Sequence, residues 1–228
     1  SPDGAQLAFW STRAGPGQIF TMDADGSNQT QLTTDLGGNY SPAWSPDGTQ
    51  ITYFSQRDGQ AEIYVIDTDG TDETRLTFSD PGFEAANGVF SPEGTKIAFA
   101  INSTSPPFAG NIFVMDADGS DVTQITSYTA PEDAFVPQWS PDGTRLLFNW
   151  YDGVTDIEVF VMNADGSGQT NLTNDAADDF YADQQPPVGG KIVFTSDRTG
   201  EQEIWLMDGD GGNLTQLTNS PGSDRWPI

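Results

Sequence analysis

The chain has 228 residues, with 34 Asp+Glu against 8 Lys+Arg, a formal net charge of −26, and neither His nor Cys. Such a balance repels nucleic acid and anionic lipid, whose binding relies on basic side chains, and it favours a cationic partner or a protein with a basic surface. Without His or Cys there are no Ser-His-Asp or Cys-His nucleophile systems, no disulfides and no usual zinc sites, and no apolar stretch approaches the ~18 residues of a membrane span.

In chain order, the first element is a Ser-Pro-Asp-Gly turn at Ser1, and it returns at Ser45 and Ser140, with Ser-Pro-Glu-Gly at Ser91 and a worn Pro-Pro-Val-Gly at Pro186. The spacings of 44, 46, 49 and 46 residues match a propeller blade better than a solenoid repeat. After each turn comes a short apolar run, strand B: Leu7–Trp10, Ile51–Phe54, Ile97–Ala100, Leu146–Phe148 and Ile192–Phe194. A variable loop then leads to strand C: Ile19–Met22, Ile63–Ile66, Ile112–Met115, Val159–Met162 and Ile204–Met207. An Asp-x-Asp-Gly turn follows, then strand D on Thr-x-Leu/Ile-Thr (Thr30–Thr33, Thr215–Thr218), then strand A (Tyr40–Trp44, Ala86–Phe90, Phe135–Trp139) leading into the next copy. The runs are continuously apolar rather than alternating, which predicts strands covered on both faces, as in a blade held between neighbours.

These features predict an all-β fold, a β-propeller of five four-stranded antiparallel blades in a single domain over residues 1–228, with repeats 1–44, 45–90, 91–139, 140–185 and 186–228. Asp224–Ile228 aligns with Asn39–Ala43, so the C-terminal strand is expected to complete the first blade. The alternative is a fragment of a six- or more-bladed propeller.

The pattern Trp-Ser-Pro-Asp-Gly-x-x-Ile-x-Phe, then Ile-Tyr-Val-Met-Asp-x-Asp-Gly-Ser and Thr-x-Leu-Thr, resembles the WD40-like (PD40) repeats of TolB-type propellers. Trp44–Phe54 with Ile63–Thr77, and Trp139–Phe148 with Val159–Thr173, carry it most closely. The resemblance implies a periplasmic or extracellular setting and contact with other proteins. It also extends to the gating propellers of prolyl-oligopeptidase-like enzymes, and to lyases that rely on His-bound metal, a residue this chain lacks. The expectation is a non-catalytic protein-interaction or assembly module, with a carbohydrate-binding propeller or the accessory propeller of a hydrolase as alternatives.

No cofactor is required by this reading. Calcium is the one the turns suggest, since hard oxygen ligands at alternate positions before a Gly suit it: Asp23 and Asp25, Asp67 and Asp69, Asp116 and Asp118, Asp165, and Asp208 and Asp210. These turns lack the further ligands of a calcium loop, and Asp bonding to its own turn backbone explains them as well. Strand alternation puts the A–B and C–D turns on one edge and the variable B–C and D–A loops on the other. Variation among copies of one unit marks the edge that binds a partner, protein or glycan. Candidate contacts there are Phe83, Glu84, Tyr128, Trp150, Tyr151, Phe180, Tyr181, Arg225 and Trp226, aromatic anchors beside charges.

Overall fold

The computed structural model describes residues 1–184, 190–225 and 227. The turn at Pro186 and the candidate Trp226 therefore lie outside the described residues. All regular structure among the described residues is β, and no helix there is long and apolar enough to cross a membrane. The chain divides into two units, Ser1–Pro106 with Phe113–Gln124, and Pro107–Ile112 with Ile125–Ile228.

In the first unit, β1 (Gln6–Ser11), β2 (Gln18–Asp23) and β3 (Thr30–Gln31) form one antiparallel sheet. Next, β4 (Asn39–Trp44), β5 (Gln50–Ser55), β6 (Glu62–Asp67) and β7 (Thr74–Arg75) form a four-stranded antiparallel sheet in sequence order. The same order runs through β8 (Phe83–Phe90), β9 (Lys96–Ser103), β10 (Gly110–Asp116) and β11 (Thr123–Gln124), with β10 divided between the units after Ile112 and its first residue, Gly110, paired in parallel with Asp133. In the second unit it recurs in β12 (Asp133–Trp139), β13 (Arg145–Tyr151), β14 (Ile157–Asn163) and β15 (Thr170–Asn171). The last sheet is β16 (Asp179–Gln184), β17 (Ile192–Ser196), β18 (Glu203–Met207) and β19 (Thr215–Gln216). Each four-stranded sheet thus takes its A strand from the end of the preceding copy.

The first sheet has three strands among the described residues. The segment expected to supply its fourth is partly outside them. Of the remainder, the Asp224 N–H donates to the Gln202 carbonyl at 2.6 Å. Asn39 to Gly17 (2.8 Å) and Ala85 to Ala61 (2.8 Å) make the same bond from the first part of an A strand. Asp224 thus makes the bond that Asn39, with which it aligns, makes in the A strand β4.

The apolar runs are covered on both faces, as their lack of alternation predicted, except in β1, where Leu7 and Trp10 are exposed. In the first unit, Ile63 and Val65 of β6 and Leu76 pack with Ala85 of β8, Ile97 and Phe99 of β9, and Met115 of β10. Ile19 and Leu32 meet Ile51, Tyr53, Tyr64 and Ile66 in a second cluster. In the second unit, Leu147, Val159 and Val161 meet Ala182, Ile192, Phe194 and Met207. Burying one such aliphatic or aromatic side chain contributes about 2 kcal/mol.

The D strands are shorter than the Thr-x-Leu-Thr motif, for a definite reason. Only Thr30–Gln31 ladder with β2. Leu32 then turns inward and bonds through its N–H to Ile19. The Thr33 hydroxyl replaces the backbone: it accepts the Ile19 N–H at 2.9 Å and donates to Gln18 Oε1 at 2.8 Å. Thr77 does the same between Ile63 (2.8 Å) and the wholly buried Glu62 (2.5 Å). Thr218 does so between Ile204 (2.9 Å) and Glu203 (2.5 Å). The final Thr of the motif is a side-chain lock on the start of strand C, which explains why each copy has it.

Candidate binding site on the variable-loop edge

The two edges of the sheets differ in what their polar groups do. On the turn edge, the C–D turn bonds to the A–B turn of the same sheet: Ala24 N–H to Ala5, Thr68 to Thr49, Ala117 to Thr95 and Ala164 to Thr144, at 2.9–3.0 Å. The second Asp of each Asp-x-Asp-Gly turn accepts the N–H two residues on: Asp25 from Ser27, Asp69 from Thr71, Asp118 from Ser120, Asp165 from Ser167, and Asp210 from Gly212. The first Asp also has a local partner. Asp23 Oδ2 accepts from Asn28 at 2.7 Å, Asp67 from Gln50 at 2.9 Å and Asp116 from Lys96 at 2.5 Å, while Asp208 pairs with Lys191. Hydroxyl and backbone donors hold Asp25, Asp69, Asp118 and Asp165 below the usual carboxylate range. Among the described residues no three acidic side chains gather as a metal-ligand set.

On the variable edge, the loop after strand B carries an arginine in the first, second and fifth copies. Arg57 reaches Asp35 at 3.0 Å, and its Nη2 reaches Glu73 at 2.9 Å, beneath which lies the Tyr53–Tyr64 ring pair. Arg198 grips both oxygens of the buried Asp179 at 2.8 and 2.9 Å, and Asp175 at 3.1 Å, over Phe194 and Trp205. Arg13 lies over Phe9 and Phe20.

The fourth copy replaces this arrangement. Ten residues past its first turn residue stands Trp150 where Ser11 and Ser55 stand, and Asp152 takes the place of Arg13 and Arg57. Ala134, fully buried, occupies the A-strand position of Asn39 and Asp179. With the guanidinium gone, the Phe148–Phe160 pair is covered by aromatic rings: Trp150 lies 5.2 Å from Phe160, and Tyr128 lies 6.5 Å from Phe148 and 6.1 Å from Trp150. The Tyr128 hydroxyl donates to Gln169 at 2.7 Å, and burial raises its pKa to about 12.

The candidate contacts therefore separate. Tyr128 and Trp150 are half-buried and used in packing, and Phe180 is buried in β16 with its ring against Tyr181 at 5.0 Å. Phe83 is exposed at the start of β8, with Glu84 half-buried beside it, and Arg225 is exposed. Tyr151 lines a cleft of about 410 Å³ with Asp133, Phe135, Thr155, Ile157 and Asp178. Asp133, Tyr151 and Ile157 face one another in register across β12, β13 and β14. Asp178 closes the cleft by accepting the Ile157 N–H at 2.9 Å. Asp133 Oδ1 is buried without a hydrogen-bond partner, and desolvation holds its carboxyl above the ordinary range. Asp133 belongs to none of the repeated motifs and was not among the expected contacts. The sequence does carry one signal for it: Asp152 in the fourth copy where the first, second and fifth copies have arginine.

The sequence profile of the TolB beta propeller domain (PD40) matches residues 1–133. The chain belongs to this family. Its sheets are thus propeller blades, and solved structures agree. A putative TolB from Agrobacterium tumefaciens is 25% identical with a TM-score of 0.79, over 96% of this chain and 78% of that one. TolB from Acinetobacter baumannii is 20% identical with a TM-score of 0.79, over 98% of this chain and 54% of that one. An oligogalacturonate lyase from Vibrio parahaemolyticus is 15% identical with a TM-score of 0.72, over 99% and 65%. The chain thus spans about half of the Acinetobacter protein and two thirds of the lyase. No curated protein matches it.

Proposed function

We propose that this TolB-like propeller is a non-catalytic protein-interaction module acting in the periplasm or outside the cell, and that it binds through the variable-loop edges of its blades. The observation that carries this is the division of labour between the edges. Turn-edge carboxylates are taken up by their own turns, whereas the loop edge differs from copy to copy and presents exposed Phe83 and the acid-lined cleft beside Tyr151. Aromatic side chains next to uncompensated charge suit a protein anchor. The net charge of −26 steers a basic partner toward it. The sequence lacks the His and Cys on which Ser-His-Asp and Cys-His hydrolases depend. No cofactor is needed.

The test is site-specific photo-crosslinking in an envelope extract of the source cell. A benzophenone residue at Phe83 or Tyr151 is expected to capture a defined partner, while one at Asp25 or Asp118 on the turn edge captures none. Equal capture from both edges, or none from the loop edge, would refute the reading. A glycan is the second reading, because carboxylates beside Phe135 and Tyr151 also suit sugar hydroxyls and a ring face. A glycan-array response abolished by Tyr151→Ala would replace the protein reading with that one.

A further inference from the structure

We infer that the cleft between β12, β13 and β14 is a receptor for a guanidinium group, the side chain of an arginine on a protein partner. This rests on the protein-interaction reading above and names what that contact recognises.

The cleft holds two carboxylates, Asp133 and Asp178, and its walls carry no basic side chain. One oxygen of Asp178 is occupied by the Ile157 N–H. Asp133 Oδ1 is buried and accepts nothing. A buried acceptor without a donor is costly, and it belongs to a carboxylate that forms part of the cleft wall. The remaining lining residues are Phe135, Tyr151, Thr155 and Ile157, and aromatic side chains beside carboxylates suit a planar cation that stacks on one side and hydrogen-bonds on the other.

The same chain shows what fills such a place. On the loop edge of the second and fifth blades, carboxylates are met by the chain's own arginine lying over aromatic rings: Arg57 with Asp35 and Glu73, 4.4 Å from the Tyr64 ring centre, and Arg198 with Asp175 and Asp179, 4.9 Å from that of Trp205. In the fourth blade that position is Asp152, which adds a third acid near the cleft. Asp152 is occupied by the Val154 and Thr155 N–H groups at 2.7 and 2.8 Å. The blade has kept acids and aromatics and lost the internal cation. A monodentate ammonium meets one carboxylate well, whereas a forked guanidinium can address Asp133 and Asp178 together.

The probe is Nα-acetyl-L-argininamide, titrated into the full chain by calorimetry and by NMR, with the neutral isostere Nα-acetyl-L-citrullinamide alongside. Saturable millimolar binding of the arginine compound is expected, at least tenfold weaker for the citrulline compound, with shifts confined to residues of β12–β14. Asp133→Asn should weaken binding at least tenfold. Asp118→Asn, which makes the same charge change on an exposed turn, should leave it unchanged. Tyr151→Ala, which keeps both acids, should weaken it severalfold and guards against a local rearrangement in the Asn variant. Equal binding of the two probes, equal loss with Asp118→Asn, or no saturation would overturn the inference. The crosslinking experiment would still stand, because it does not depend on which group enters this cleft.

Discussion

Asp179 and Asp133 are both carboxylates at the start of an A strand, and their surroundings treat them differently. Burial pushes Asp179 up to about 6, against the Ser196 hydroxyl and the Arg198 guanidinium that bond it. Asp133 is raised by desolvation with no partner to offset it. An acid raised in the folded state holds its proton more tightly than in the unfolded chain. Its contribution is therefore fully present below the ordinary Asp value of ~3.9 and is lost as pH rises through the folded value. At neutral pH, Asp133 is a liability for stability, as expected of a residue kept for binding. Asp133→Asn is expected to melt several degrees above the parent at pH 7, with the gap closing by about pH 4. An unchanged or lower melting temperature at pH 7 would show that the carboxylate is satisfied.

Within the A strands one irregularity recurs. The pairing of A with B slips between Tyr40 and Ala43, Ala86 and Val89, Phe135 and Gln138, and Phe180 and Asp183. In each bulge one residue has positive φ: Ser41 at 52°, Asn87 at 57°, Val136 at 51° and Tyr181 at 56°. Asn tolerates that region, while a β-branched residue does not. Val136→Asn, which copies the residue at position 87, is therefore expected to stabilise the protein by about 1 kcal/mol, read as a higher urea midpoint with an unchanged slope. A fall would mean that the half-buried valine contributes more through packing than it costs in strain. The bulge lies between Phe135 and Gln138, beside the cleft, and bulges often re-aim side chains next to functional sites. The repeat of apolar runs and turns was legible at this scale, since strands B and C fell where the motifs put them. The bulges were not, because nothing in the composition of Tyr40–Trp44 or Phe135–Trp139 distinguishes a bulged strand from a regular one.

Across the whole molecule, charge outweighs every other surface property. With −26 on 228 residues, like charges repel across the surface of the native state. The Debye length falls from about 30 Å at 0.01 M salt to about 3 Å at 1 M, so the melting temperature is expected to rise by several degrees between those limits in sodium chloride. Calcium chloride at matched ionic strength should add no further shift where the turn carboxylates are already taken up by Ser27, Thr71, Ser120 and Ser167. A specific calcium increment of several degrees would assign those turns to metal binding.

The five concordant copies were sufficient by themselves to determine an all-β propeller, the order of strands in each sheet, and the segregation of constant turns from variable loops. All three follow from local periodicity, turn chemistry and spacing along the chain. Only the tertiary structure decided which aromatics are used up in packing and which remain to bind. Tyr128 and Trp150 read as anchors because aromatics in loops usually are. Yet they cover the Phe148–Phe160 pair that arginines cover in other copies, a substitution between residues distant in sequence. Asp133 read as one acid among 34. Its distinction, a buried oxygen with no donor on a residue that lines a cleft with Tyr151 and Asp178, arises from strand register and a neighbouring loop, which no single segment of the chain encodes.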